Sequence, residues 1–172
     1  MRNVRYLYSS VHVEVPSPLS DDIIECGKAH VHDDDLFVTQ TDPTFGREDE
    51  IHTTVLYGLN DSDPNLIQSI LEKEGPLHVR LGQVIVFTGP YDFDVVVIEV
   101  ISEDLRRLNE KLRSRVAHFT PYTVYNPHIT IAYVKEGRGW RHWGHREWFG
   151  LDFMANEVVF SSKDGMKYRL PI

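Results

Sequence analysis

The chain reads as an α+β protein, two small antiparallel sheets packed together with helices on the outside. Short β-prone runs bounded by proline and glycine recur along its length. Between them lie segments whose apolar residues follow helical spacing. The order also repeats: a strand carrying His-x-Thr, a helix, a hairpin, a helix, a second His-x-Thr strand, a hairpin. At 172 residues, with 41% hydrophobic and 26% charged side chains, the chain suits one domain over 1–172 that buries its own core.

Each element has a local reason. A first strand is expected over Val4–Val15, where Tyr6, Tyr8, Val11, Val13 and Val15 favour β structure and Pro16 and Pro18 end it. Asp21–Ala29 suits a short helix with Ser20 as N-cap and acids in its first turn. His30–Glu50 is polar, with the run Asp33-Asp34-Asp35 and a turn region at Pro43–Gly46, and is long enough for a functional loop. Ile51–Leu59 is the first motif strand. Ser62 or Asp63 then caps a second helix, Pro64 suits its first position, and Gly75-Pro76 closes it. His78–Thr88 and Phe93–Ile101 form a hairpin across Gly89–Asp92. Ser102–Val116 is an amphipathic helix with Leu105, Leu108 and Leu112 on one face. His128–Val134 is the second motif strand, and Asn156–Ser161 with Met166–Leu170 forms a closing hairpin.

Composition narrows the function. No apolar run is long enough for a spanning helix, and residues 1–6 lack the apolar core of a signal peptide. The lone Cys26 forms no internal disulfide, which agrees with a reducing compartment. A cytoplasmic location, with no membrane partner, is therefore expected. The net charge of −8 divides into −14 over residues 1–104 and +6 over residues 105–172. Binding along long nucleic acid needs many cationic contacts to phosphates, which the acidic first part disfavours. A small anionic ligand suits the basic later part.

The chemistry lies in the pair His52-Thr53-Thr54-Val55 and His128-Ile129-Thr130-Ile131. A strand points residues i and i+2 to one face, so each copy offers an imidazole beside a hydroxyl. Two such strands facing each other surround a cleft with two of each. One neutral imidazole can take a proton from an attacking oxygen while a protonated one supplies the leaving oxygen. Thr54 and Thr130 would donate to the non-bridging phosphate oxygens. That is acid–base cleavage of a phosphodiester, with no cofactor or metal expected. Which histidine is acid and which is base stays open, as does the nucleophile, water or a ribose 2′-OH. Tyr57 and Tyr133 follow their histidines by five residues, so regular alternation turns both toward the core.

With these flanks the sequence resembles the two-histidine (2H) phosphoesterase superfamily, which includes the LigT-like enzymes. The resemblance covers roughly Ile51 to Leu170 and implies a bilobal, pseudo-twofold fold with a central cleft. It implies His52, Thr54, His128 and Thr130 as catalytic residues. Gly46–His52 and Val158–Gly165 look most like phage anti-CBASS phosphodiesterases, which cleave cyclic oligonucleotide messengers; a viral protein would act in the host cytoplasm. That likeness implies 3′,5′-linked cyclic di- and trinucleotides as substrates; 2′,5′-oligoadenylates and RNA 2′,3′-cyclic phosphates are alternatives. Tyr8 on the first strand and Phe45 in the preceding loop are candidate stacking residues. Glu157 is a candidate acceptor for an exocyclic amine. Trp140, Trp143 and Trp148, interleaved with arginines and histidines, suit a nucleotide lid, packing or an oligomer contact. Three rivals stand beside this reading: a metal site drawing on His30, His32, Asp33–Asp35, His142 and His145, a nucleotide-binding module without turnover, and a coincidental repeat in a structural protein. The oligomeric state is open.

Overall fold

The computed structural model describes residues 6–42 and 44–172; residues 1–5, including the start of the expected first strand, and Pro43 of the expected turn lie outside the described residues. The elements are β1 (Ser9–Glu14), α1 (Leu19–His30), β2 (His52–Leu59), α2 (Pro64–Leu71), β3 (Leu77–Phe87) and β4 (Phe93–Ile101), followed by α3 (Glu103–Arg113), β5 (His128–Lys135), β6 (Asp152–Ala155), β7 (Glu157–Ser161) and β8 (Lys167–Pro171). The two expected sheets are one. Eight strands run in the order β6-β3-β4-β5-β2-β1-β7-β8, and every pairing is antiparallel.

The reason lies at the middle of the sheet. The halves β6-β3-β4-β5 and β2-β1-β7-β8 each end inward on a motif strand, and the two motif strands pair through Thr53 opposite Ile129. Beyond that point each strand is taken over by a loop from the other half. Gly46 and Glu48 bond to Tyr133 and Ile131 of β5, while Phe119 donates to the Gly58 carbonyl of β2 at 2.8 Å. Gly58 has φ +91°, and a Cβ there would stand 1.7 Å from the Phe119 carbonyl oxygen. Only glycine admits so close an approach. The arrangement is pseudo-twofold, with a motif strand on each side of the centre.

Alternation explains what lies behind the sheet. Val11, Val13, Val55, Ile129 and Ile98 are fully buried on one face. α3 covers that face with Leu105, Leu108 and Leu112, each fully buried, and the Ser102 hydroxyl caps it by accepting from Leu105 N at 3.1 Å. α1 lies on β5, with Gly27 close against Ile131. It begins at Leu19, ahead of expectation, so Ser20 is inside the helix and no side chain caps its start. Asp63 does cap α2, accepting from Asn65 N at 2.9 Å. β6 was not expected; its four residues complete the sheet edge by pairing with β3.

The 138–149 segment lies behind the sheet too. Trp148 is buried and donates from Nε1 to Asp22 of α1 at 2.8 Å. Gly139 sits against Val86 and Asp94, and Val86 pairs with Val96 on the face away from the motif hydroxyls. Trp140 and Trp143 remain half-exposed against each other. Trp148 therefore serves packing, while Trp140 and Trp143 stay on the surface. No helix among the described residues is long and apolar enough to cross a membrane.

Candidate active site

Antiparallel register brings the two motifs together head to tail. With Thr53 opposite Ile129, one step in each direction sets His52 opposite Thr130 and Thr54 opposite His128. Thr53 and Ile129 are fully buried behind the sheet, so the four motif side chains share the other face. All four are half-buried. Each imidazole thus has a hydroxyl two residues along its own strand and another across the ladder.

Backbone carbonyls hold both rings in the same way. Nδ1 of His52 lies 2.6 Å from the Glu50 carbonyl oxygen, and Nδ1 of His128 lies 2.7 Å from that of Asn126. A carbonyl only accepts, so Nδ1 carries the proton and Nε2 is left for the cleft. Burial pulls both imidazoles below their ordinary pKa, against the carbonyl bonds, which favour the charged form. Lys167 adds to the fall at His52, and His52 adds to it at His128.

A β-bulge in each motif strand overturns the expected direction of the tyrosines. In β2 the pairing with β1 jumps from Leu56 opposite Val11 to Thr54 opposite His12. In β5 the pairing with β4 jumps from Ala132 opposite Val96 to Thr130 opposite Val97. Each jump leaves two successive core residues, Val55-Leu56 and Ile131-Ala132, and resets the alternation. Tyr57 then pairs with Ser10 and Tyr133 with Val95, on the histidine face. Tyr57 is 47% exposed. Burial lifts the Tyr133 hydroxyl to about 12. The adjacent apolar pair before each tyrosine is the sequence signal for this reversal.

The three expected substrate residues occupy different places. Tyr8 lies just before β1, edge-on to Tyr57 at 5.8 Å and stacked with Phe119 at 6.0 Å. Phe45 packs against Tyr133 at 5.2 Å and against Phe37 and Phe93. Tyr8 and Phe45 thus join aromatic clusters at opposite ends of the motif strands. Glu157 opens β7 and is ion-paired with Arg169, which also holds Glu14. Sequence reasoning passed over the residues flanking the motifs. Glu14 stands opposite His52 and Glu99 opposite His128, while His12 packs its ring 4.7 Å from that of His52. A strand histidine without a repeat gives no separate signal.

The acidic run behind the metal reading serves another purpose. Asp33 pairs with Arg47, and Asp35 with Arg138 and Arg141, tying the loop to the 138–141 turn. Among the described residues no group of three or more His, Cys, Asp or Glu is arranged to hold a metal ion.

Paired imidazoles and hydroxyls on two strands of a pseudo-twofold sheet define a phosphoesterase of the two-histidine class. The model of the 2′-5′ RNA ligase superfamily matches residues 25–166; the chain belongs to that superfamily and is by class a phosphodiesterase. The structure resembles the TT0787 protein of Thermus thermophilus with a TM-score of 0.65, 16% identity and 95% of each chain covered. It resembles E. coli LigT in apo form with a TM-score of 0.59, 16% identity, and 98% of this chain and 95% of that one covered. Usb1 of Kluyveromyces marxianus, solved with uridine monophosphate, gives 0.58, 12% identity, and 96% and 98% covered. At these identities the likeness is one of fold. No curated protein sequence matches the chain.

Proposed function

We propose that the protein cleaves the 3′,5′-phosphodiester of a cyclic di- or trinucleotide at the His52–His128 cleft. The observation that carries this reading is the head-to-tail placement of the two H-x-T motifs between two aromatic clusters. Tyr8, Tyr57 and Phe119 stand toward one end, and Phe45, Phe93 and Tyr133 toward the other. A phosphate held at the motifs then has an aromatic surface on each side for a base. A substrate with nucleosides on both sides of the phosphate uses both surfaces. A nucleoside 2′,3′-cyclic phosphate uses one.

The chemistry follows from the ring geometry. The neutral histidine accepts at Nε2 the proton of the nucleophile, the neighbouring 2′-OH or a water. The new O–P bond forms as the P–O5′ bond breaks in line. The protonated histidine gives its Nε2 proton to the departing O5′. Thr54 and Thr130 donate to the non-bridging oxygens as their charge grows. With the 2′-OH as nucleophile the first product is a 2′,3′-cyclic phosphate and a free 5′-OH. The likeness of residues 46–52 and 158–165 to phage anti-CBASS phosphodiesterases supports a role against cyclic-nucleotide signalling in the host cytoplasm.

The test is a panel of cyclic di- and trinucleotides, 2′,5′-oligoadenylate and RNA ending in a 2′,3′-cyclic phosphate, followed by chromatography. Linearised cyclic nucleotides at the highest kcat/KM support the reading. Preferred turnover of either other class, or binding without turnover, refutes it.

A further inference from the structure

We infer that His12 is a positioning residue of the catalytic pair, a buried imidazole wall that holds His52 in place as the proton acceptor. The inference rests on the phosphodiesterase reading and assigns unequal roles within it. It starts from a break in the pseudo-twofold. β1 flanks β2 as β4 flanks β5, and the residue opposite the motif threonine differs between the halves. Opposite Thr130 stands Val97, fully buried; opposite Thr54 stands His12, 6% exposed. The other flanking position is alike in both halves, Glu14 opposite His52 and Glu99 opposite His128.

The ring partners differ as well. His52 lies against the His12 imidazole, 4.7 Å between centroids and tilted by 52°. His128 lies edge-to-face with the Phe87 phenyl at 4.8 Å and 79°. A phenyl ring carries a negative face that attracts a cation. A second imidazole excludes water from one side of His52 and offers no charge in return. The pairing therefore favours a neutral His52 and a protonated His128 at the moment of reaction.

Burial, the largest cause, lowers the His52 imidazole; Lys167 presses it further down while Glu50 and Glu14 pull it up, and the fall prevails. Glu14 on β1 and Glu157 on β7 both pair with Arg169 of β8, and Glu50 pairs with Lys167 of β8. From β5, His128 faces His52. Burial, then His52, Lys167 and Arg169, press the His12 imidazole down to about 3. It stays neutral through the range where the pair works and acts through His52.

The experiment compares His12→Val, which gives β1 the side chain of the other half, with His12→Phe, which restores a ring without nitrogens. Two readouts are taken: the NMR titration of the His52 Cε1–H in free enzyme, and the pH profile of kcat/KM. In His12→Val, water reaches His52, so its titration and the acid limb both move to higher pH. We expect kcat to fall about tenfold at neutral pH with KM within about twofold. His12→Phe gives His52 the kind of ring neighbour that His128 has, so it should move both to higher pH as well. An unmoved His52 titration in either folded variant overturns the inference. If the wild type turns over none of the nucleotides while the titration moves as expected, the functional reading fails and the positioning role stands.

Discussion

His52 stands across the β2–β5 ladder from Thr130, and Thr54 stands across from His128, both set by Thr53 facing Ile129. Each half of the cleft is thus completed by the other half's motif. Substituting either histidine should be as damaging as substituting both. His52→Ala and His128→Ala are each expected to lower kcat by about 10²-fold or more, and the double variant should lie well above the product of the two losses. Circular dichroism and thermal melting should match wild type, because both rings are half-buried on the cleft face. Multiplying losses in the double variant would show two independent sites.

The proposed mechanism sets the two hydroxyls where charge accumulates. Thr54→Val and Thr130→Val keep the β-branched shape and remove one donor each. A lost donor to a developing oxyanion costs about 10²-fold in kcat, with KM changed much less. Steady-state kinetics on the best cyclic substrate measures this. A rise in KM alone would assign the threonines to ground-state binding.

The pH profile follows from burial. The base must start neutral, and a lowered pKa moves the acid limb of kcat/KM below the ordinary value of about 6.5. The acid must start protonated, and its lowered pKa moves the basic limb down too. The bell should therefore lie on the acidic side of the one that unperturbed imidazoles would give, with limbs belonging to the coupled pair. Stability has a separate dependence through His12, whose pKa is depressed to about 3 in the folded state. Between about 6.5 and 3 the unfolded chain binds the extra proton, so stability is present above that window and lost as pH falls through it. Melting temperature against pH should fall less steeply for His12→Val.

Much of this was legible in the chain because it is local. The motif strands, the β3–β4 hairpin, the Asp63 cap and the Ser102 cap all follow from neighbouring residues. What escaped depends on pairing. Tyr57 and Tyr133 point to the cleft because bulges reset alternation, and a bulge is a property of two strands. One sheet formed where two were expected, because the closeness of Thr53 and Ile129 depends on residues 76 positions apart. Trp148 lies behind the sheet because it found Asp22 on α1, a contact between distant segments.

The tyrosines offer a test of base recognition that leaves the chemistry alone. Tyr57→Ala and Tyr133→Ala each remove one aromatic surface beside the motifs. Base stacking on a side chain is worth about 1–3 kcal/mol, so KM for a cyclic dinucleotide should rise by about fivefold to 150-fold in each. A nucleoside 2′,3′-cyclic phosphate, which occupies one surface, should respond to one substitution and not the other. Equal responses to both would remove the two-sided reading of the cleft.

The bulge itself is held from behind, and that support gives a final prediction. The Val55 carbonyl sits where β2 leaves its regular ladder, and it accepts from the buried Asn109 Nδ2 of α3 at 2.6 Å. One residue earlier, the Thr54 carbonyl accepts from the Tyr125 hydroxyl at 2.9 Å. Both acceptors belong to the segment that aims Thr54 and Tyr57, so α3 and the 125–127 segment set the motif's direction. Asn109→Ala leaves a buried carbonyl without its partner, which costs about 1–3 kcal/mol and is measured by denaturant unfolding. The released strand can relax toward regular pairing, which turns Tyr57 away from the cleft. Loss of stability should therefore come with a higher KM for the cyclic substrate. A variant that melts earlier but keeps KM would confine Asn109 to stability alone.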